Sequence, residues 1–210
     1  MELRAVLDHI TVAALTLEQG VAHVRDALNV EMPFGGSHPL MGTHNCLMQL
    51  GDGVFLEVIA PDPAVTPQRK RWFGLDDPAM RARLEHSPQL ITWVARVPDL
   101  GRAHDGAAGE VLNVTRGELS WLIAVPRDGS MPFEGAYPTL IEWPAGPHPS
   151  VRMADLDCRL ERFAISHPDG ARLSLALGSI VTDERIVVST GDTVRLRASI
   201  RTPDGLRELG

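Results

Sequence analysis

Aromatic residues and cysteines are scarce in this chain. Phenylalanine, tryptophan and tyrosine make up 5% of the 210 residues, and only two cysteines, Cys46 and Cys158, are present. Two cysteines are too few for the disulfide scaffold of a small secreted protein. No apolar run approaches the roughly 18 residues that span a bilayer, so the sequence predicts no membrane helix.

A strongly basic surface is missing too. Lysine and arginine number 20 against 27 acidic residues, which gives a net charge of −7 and no footprint for nucleic acid. The short basic run Arg69-Lys70-Arg71 is more typical of a solvated face than of an anion site. Because the first residues lack the pattern of a secretory signal, we predict a cytoplasmic protein. Neither a phosphate-binding glycine loop nor a GxSxG nucleophile elbow occurs.

One order of elements recurs along the chain: a strand, a helix and then further strands. Residues 5–13 predict the first strand, and Thr16 with Gln19 has the capping-box spacing of a helix start. The order begins again at residues 90–97 and, more weakly, at residues 160–166. We therefore divide the chain into a first module at 1–60, a connecting helical segment at 61–88, a second module at 89–150 and a third, partial module at 151–210.

Polar residues interrupt apolar strands at nearly the same spacing in the first two modules. His9 and Glu57 form the first pair, and Thr92 and Glu142 form the second. A polar side chain in a buried strand is costly unless it is paired or binds a ligand. Since side chains alternate along a strand, His9 and Glu57 should face one cleft together, away from the predicted helix at 17–28. The same alternation predicts that Glu142 faces this cleft.

These patterns resemble the vicinal oxygen chelate superfamily, and within it the glyoxalase-like domain proteins of the glyoxalase, bleomycin-resistance and dioxygenase type. The residues that carry the resemblance are Leu7-Asp8-His9-Ile10, Gly42-Thr43-His44-Asn45, Leu50-Gly51-Asp52-Gly53 with residues 54–61, Leu140-Ile141-Glu142-Trp143, and His148-Pro149. The resemblance implies an α+β fold of tandem βαβββ modules that form a curled mixed-sheet cleft, followed here by the third, partial module.

The resemblance also implies metal ligands on the first and last strands of each module, at His9, Glu57, Thr92 and Glu142. Threonine seldom binds a metal, so we expect a metal site of His9, Glu57 and Glu142, with Glu57 and Glu142 as catalytic groups. Such a set suits a divalent Fe, Mn, Co, Ni or Zn ion and leaves positions open for substrate oxygens. Alternatively, these side chains only hydrogen-bond to one another or to arginines in a wet cleft.

Five further residues are candidates for binding the small-molecule ligand: His44, Phe55, Thr92, Trp93 and His148. His44 fits either face of its strand, and His148 before Pro149 also fits a turn. Tryptophans at such positions are found in a core or a pocket wall more often than in a specific recognition site.

Two functions fit this set of residues. The first is a metal-dependent lyase, isomerase or dioxygenase that acts on a small oxygenated molecule. The alternative is a metal-free protein that binds or sequesters a small molecule, as drug-resistance members of the superfamily do. The odd number of modules leaves sheet surface without a partner, so we also predict a homodimer.

Overall fold

The computed structural model describes residues 4–51, 53–103 and 108–210, so Asp52 of the motif quoted above lies outside the described part. Within it, the chain forms one sheet of eight strands, one of four strands and four helices. None of the described helices is long and apolar enough to cross a membrane. In chain order the elements are β1 (Val6–Ala13), α1 (Leu17–Leu28), β2 (Phe34–His38), β3 (Thr43–Gln49), β4 (Phe55–Pro61), α2 (Pro78–His86), β5 (Gln89–Arg96), α3 (Leu100–Ala103), β6 (Glu110–Arg116), β7 (Leu119–Val125), β8 (Thr139–Glu142), β9 (Arg159–His167), α4 (Gly170–Gly178), β10 (Ile186–Thr190), β11 (Arg195–Thr202) and β12 (Gly205–Leu209).

The eight-stranded sheet consists of two halves with mirrored strand order. Its strands run β2-β3-β4-β1-β5-β8-β7-β6, and the first strand of each half pairs in parallel with the last. The halves meet at the antiparallel pair of β1 and β5. Each half is a βαβββ module, so the predicted α+β fold of tandem modules is confirmed.

The sheet is so strongly curled that its two ends approach each other. Arg116 at the end of β6 donates from Nη1 to Asn45 Oδ1 on β3, over 3.0 Å. A β-carbon on Gly36 of β2 would lie within 3.1 Å of the Arg116 Cγ atom. A long side chain from the second module thus spans the gap to the first, and the inner face of the sheet encloses a pocket.

Helix α1 covers the outer face of the first module, as its apolar spacing predicts. Thr16 Oγ1 accepts a hydrogen bond from Gln19 N at 3.3 Å, and Asn29 ends the helix in a left-handed conformation. Leu17, Val24 and Leu28 are buried. They belong to one core cluster with the outward-facing residues Ile10, Val12, Leu56 and Val58. The aliphatic faces of β1 and β4 are therefore committed to this core, which leaves their other faces for the pocket.

The third module keeps the order of elements but not the pairing. Its strand order is β10-β9-β11-β12, so β9 pairs in parallel with the strand that follows its helix, not with its last strand. The small sheet packs on the outer face of the large one, where the rings of Trp93 and Phe163 meet edge to face at 5.9 Å. Asn29 after α1 also donates to Asp204 beside β12 at 2.7 Å.

The segment between the first two modules is anchored by its arginines. Arg71 forms a 2.6 Å ion pair with Asp76 and donates to Gly42 O at 3.0 Å. Arg69 donates to Pro126 O in the second module at 3.1 Å. Within the basic run Lys70 is exposed, whereas Arg69 and Arg71 fix residues 69–76, which we call the strap, to both modules. Helix α2 then begins at Pro78, as predicted.

Gly20 offers a test of how tightly α1 packs on the sheet. A β-carbon there would overlap the Val58 side chain and lie 3.1 Å from Ala14 Cβ, and a β-branched core residue has little room to move. We expect Gly20→Ala to lower the free energy of unfolding by about 1–3 kcal/mol, measured by urea denaturation.

Gly178→Ala is the matched control, because nothing lies within 4 Å of a β-carbon at this last position of α4. This change should leave stability equal or raise it by up to about 1 kcal/mol through helix propensity. Equal effects of the two substitutions would contradict the close packing of α1.

Candidate functional site

The inner face of the curled sheet forms a pocket of about 420 Å³, including its mouth. Most of the wall is aromatic or aliphatic, and the polar groups lie close together. The lining residues are His9, His38, Asn45, Leu47, Phe55, Glu57, Trp72, Phe73, Arg116, Trp121, Ile123, Ile141, Trp143 and Met153.

A β-bulge in β1 shapes the polar end of this pocket. The register between β1 and β5 shifts between Leu7 and His9, at Asp8. Alternation would send neighbouring side chains to opposite faces, but the bulge brings Asp8 Oδ1 within 2.7 Å of His9 Nδ1. Leu7, which the alternation places on the face of His9, lies instead in the outer core with helix α1.

Asp8 is a fully buried carboxylate that accepts hydrogen bonds from β1 and from the loop after β8. Its Oδ2 atom accepts from Trp143 Nε1 and from His148 Nε2, each at 2.9 Å. Burial alone would raise the pKa of Asp8. Hydrogen bonds from His148 and His9, together with their charges, outweigh burial and lower the pKa to about 2. Asp8 is therefore ionised at neutral pH.

The ionised Asp8 fixes the orientation and tautomer of His9. A carboxylate only accepts hydrogen bonds, so the proton of neutral His9 resides on Nδ1 and its Nε2 carries the lone pair. That Nε2 atom lies 3.6 Å from Glu57 Oε2. The imidazole ring also stacks on Phe55, with ring centroids 4.3 Å apart. In this tautomer Nε2 is the nitrogen that faces Glu57 and the pocket.

Glu57 is held by donors on its own sheet. Asn45 Nδ2 donates to Oε1 at 2.7 Å, and Thr11 Oγ1 donates to Oε2 at 3.3 Å. Because Asn45 also accepts from Arg116, a continuous chain of polar contacts runs from Asp8 through His9, Glu57 and Asn45 to Arg116. This chain crosses one side of an otherwise apolar pocket.

His38 adds a neutral polar group among aromatic rings. Burial lowers its pKa to about 3, with smaller contributions from the charges of Arg116, His9 and His44. Its ring meets Trp72 at 5.1 Å and Trp121 at 5.9 Å, both edge to face. His38 therefore stays uncharged at neutral pH.

Trp72 and Phe73 of the strap close one side of the pocket. Their rings stack on each other at 5.4 Å, and both side chains are buried. Phe73 has φ of +58°, a left-handed conformation that costs a non-glycine residue about 1–2 kcal/mol. The packing of the two rings and the arginine anchors of the strap offset this cost.

Glu142 does not join the site, so its predicted convergence with His9 and Glu57 is wrong. Its carboxylate accepts a 2.6 Å hydrogen bond from Leu100 N at the start of α3, on the opposite side of the sheet. Ile141, its neighbour on β8, lines the pocket instead. The prediction was out of register by one residue, and in strands this reverses the face.

Two ligand-binding candidates on β5, Thr92 and Trp93, also lie away from the pocket. Thr92 is buried opposite Thr11 and does not line the pocket; its Oγ1 lies 3.5 Å from Trp93 O. Trp93 faces the outer core and donates from Nε1 to Ala136 O at 2.9 Å. Neither residue lines the pocket, so the structure contradicts their predicted contact with a ligand.

The other ligand-binding candidates divide between the two faces of the sheet. Phe55 lines the pocket beside His9. His44 alternates with Asn45 on β3, and since Asn45 faces the pocket, His44 faces outward. His148 lies in a turn, where Nδ1 accepts from Ser150 N at 3.3 Å, and it supports Asp8 without lining the pocket.

The donor set does not fit the metal site that the family resemblance implies. Of the predicted ligands, His9 and Glu57 approach a common point, whereas Glu142 lies across the sheet. Across residues 4–51, 53–103 and 108–210, no group of three His, Cys, Asp or Glu side chains could hold a metal ion. Both Glu57 oxygens are also engaged by Asn45 and Thr11.

Five residues of the site were missed in the sequence: Asp8, His38, Asn45, Trp72 and Arg116. Asp8 carries a recognisable signal, since an acid next to a histidine in an apolar strand has to find buried donors. Two neighbouring aromatics in the polar segment around Trp72 are a second signal. Arg116 and His38 have no local signal, because only the curl of the sheet brings them to the pocket.

Comparison with known proteins supports this fold. A family model described as a glyoxalase-like domain matches residues 7–181. A hypothetical protein from Staphylococcus aureus has a similar structure over 91% of this chain and 88% of its own, with a TM-score of 0.63 at 11% identity. Among curated proteins, none matches the sequence significantly.

Two methylmalonyl-CoA epimerase structures are more distant. The enzyme from Mycobacterium tuberculosis matches 67% of this chain and 88% of its own, with a TM-score of 0.41 and 16% identity. The enzyme from Streptomyces coelicolor, in complex with 2-nitronate-propionyl-CoA, matches 69% and 99%, with a TM-score of 0.41 and 18% identity. The family model spans both βαβββ modules. This chain therefore belongs to the glyoxalase-like domain family.

Proposed function

We propose that this protein is an enzyme that moves a proton on a small molecule bound in the aromatic pocket, with His9 as the general base. The observation that supports it is the Asp8–His9 pair: a buried, ionised carboxylate holds Nδ1 at 2.7 Å and leaves Nε2 free to accept a proton in the pocket. Histidine is the commonest general base because its ordinary pKa lies close to neutral pH.

Glu57 stabilises His9 once the proton has been accepted. The imidazolium then lies between two carboxylates, with Asp8 bonded to Nδ1 and Glu57 Oε2 3.6 Å from Nε2. Opposite charges at such distances attract each other. Glu57 can also receive the proton from His9 and return it to the substrate at a second position, as an isomerase or a lyase requires.

Arg116 stabilises the negative charge that proton removal leaves on the substrate. It lies at the other end of the chain of polar contacts, beyond Glu57 and Asn45. A guanidinium in a pocket with aromatic walls is poorly screened by water, which strengthens its interaction with an enolate-like oxygen. The reaction class that fits these groups is proton abstraction next to a carbonyl group.

A second function is favoured by the composition of the wall. Phe55, Trp72, Phe73, Trp121 and Trp143 all line the pocket, and such rings bind a planar apolar molecule whether or not it reacts. Sequestration without turnover is therefore the alternative.

No step of the proposal passes through a metal, since the donors do not form the expected set. The cytoplasmic location and the homodimer stay predictions from the sequence.

Solvent exchange tests the role of His9 without knowledge of the product. The protein is incubated in D₂O with a panel of small 2-oxo acids and 1,3-dicarbonyl compounds, and loss of the C–H signal next to the carbonyl is followed by NMR. We expect wild-type protein to catalyse exchange on part of this panel and His9→Asn to reduce the rate roughly 10²–10⁴-fold.

His86→Asn is the control, because His86 is an exposed residue at the end of α2, and it should exchange like the wild type. Equal rates for wild type and His9→Asn would contradict the assignment. Binding of panel members without any exchange would favour sequestration.

Asp8→Asn tests the orientation of His9. Trp143 N–H can only donate, so the oxygen of the new side-chain amide would stay on its side and the amide nitrogen would face His9 Nδ1. We expect the His9 proton to move to Nε2, visible in its ¹⁵N shifts, and exchange to fall roughly 10²–10⁴-fold. A folded variant with the wild-type tautomer and rate would contradict this positioning role.

The neutral state of His38 predicts a pH dependence of stability. Its folded pKa of about 3 lies below the ordinary value of 6.5, so the unfolded chain takes up a proton first as the pH falls. The stability that neutral His38 gives the folded state is complete above pH 6.5. It decreases below pH 6.5 by about 1.4 kcal/mol per pH unit. Between pH 7 and pH 5, urea denaturation should show the wild type losing about 2 kcal/mol more than His38→Gln. Parallel profiles would show that His38 is not held neutral.

A further inference from the structure

Arg116 lies where the pocket opens into a wider groove. It lines the pocket together with His9 and Glu57, and it lines the groove outside, which continues along Phe34 and the loop from Pro144 to Ala154. Its side chain donates to Asn45 Oδ1, and no carboxylate among the described residues forms an ion pair with it. Four of the five guanidinium N–H donors are thus left for another acceptor.

An anion is the ligand group that this environment favours. A half-buried guanidinium has lost part of its hydration, and burial accordingly lowers its pKa while the charge of Glu57 raises it. A cation without an ion-pair partner in such a place gains from a carboxylate that it can bind with two parallel hydrogen bonds. The net charge of −7 makes non-specific attraction of anions weak, so selectivity would come from Arg116 itself.

Trp72 provides a second, independent observation. Its side chain is buried in the pocket wall, and no atom of the described residues forms a hydrogen bond with its Nε1. A buried donor without an acceptor is unfavourable, so an indole N–H is seldom left in this state. An oxygen of a bound ligand would satisfy it.

We propose that the pocket selects small planar carboxylates, in which the carboxylate binds Arg116, the planar body lies between the aromatic walls and a further oxygen accepts from Trp72 Nε1. The inference deepens the proposed function and rests on it for the position of the reacting carbon near His9. Two N–H groups of Arg116 bind the carboxylate, and its remaining donors stay available for the adjacent enolate-like oxygen. It narrows the substrate class to aromatic or unsaturated carboxylic acids that carry a carbonyl or hydroxyl oxygen.

Matched pairs of probes test the anionic group. Benzoate, phenylacetate and phenylpyruvate are titrated into the full-length protein, each beside its neutral primary amide, and tryptophan fluorescence and calorimetry follow binding. We expect at least one acid to bind with a Kd at or below the millimolar range and at least tenfold more tightly than its amide. Failure of all three acids to bind, or equal binding of acids and amides, overturns the proposal.

Variants at the two donors assign the selectivity. Arg116→Gln should abolish the preference for acid over amide, and Arg116→Lys should restore part of it, since the charge returns without the two-pronged geometry. Arg152→Gln, at an exposed arginine that lines only the groove, should keep the preference. Trp72→Phe should weaken the binding of phenylpyruvate several-fold and leave the binding of benzoate unchanged, because only phenylpyruvate has an oxygen besides its carboxylate. A preference that survives Arg116→Gln overturns the proposal.

The two proposals fail in different ways. If His9→Asn and wild type bind the acids equally and wild type shows no exchange, the proton-transfer function fails while the carboxylate site stands. If exchange is observed on neutral carbonyl compounds alone and acids do not bind, the function stands and the carboxylate site fails. Thermal unfolding of each variant confirms that it is folded at the assay temperature.

Discussion

The buried carboxylate of Asp8 is the interaction on which the site depends. It joins a bulged strand of the first module to Trp143 and His148 of the loop after β8, so that three N–H donors converge on one charge. Without these donors a carboxylate at zero exposure would be strongly unfavourable. With them it sets the tautomer of neutral His9 and links β1 of the first module to the loop after β8.

The two modules contribute different kinds of residue to the pocket. The first supplies His9, Glu57, Asn45 and His38, and the second supplies mainly apolar wall, such as Ile123 and Ile141, together with Arg116. A symmetric fold would allow polar ligands from both halves. In the second module Glu142 lies on the outer face of the sheet, where it accepts a hydrogen bond from Leu100 N of α3. The pocket is therefore polar on one side and apolar on the other, an arrangement suited to a molecule with the same asymmetry.

Regular features of the chain were predictable, and departures from regularity were not. The capped helix α1, the start of α2 and the shared face of His9 and Glu57 follow from periodicity and capping, which are local properties. The bulge at Asp8 has no local signal, and it changed the face of Leu7. On β8, a strand of four residues, alternation gave too little pattern to fix the register, so Glu142 was assigned to the wrong face. Arg116 and the pairing of the third sheet depend on contacts between distant segments, which spacing does not encode.

The strap has a consequence for how the protein works as a whole. Arg71 anchors it to Gly42 of the first module and Arg69 to Pro126 of the second, while Trp72 and Phe73 between these anchors form pocket wall. The binding site is therefore complete only while both modules are docked. A ligand that contacts these rings would bind the docked arrangement more tightly than separated modules. It would stabilise the docked arrangement by that difference in binding free energy. Ligand binding in this pocket and docking of the two modules would then be thermodynamically linked, so that a ligand would raise the midpoint of thermal unfolding of the two modules together.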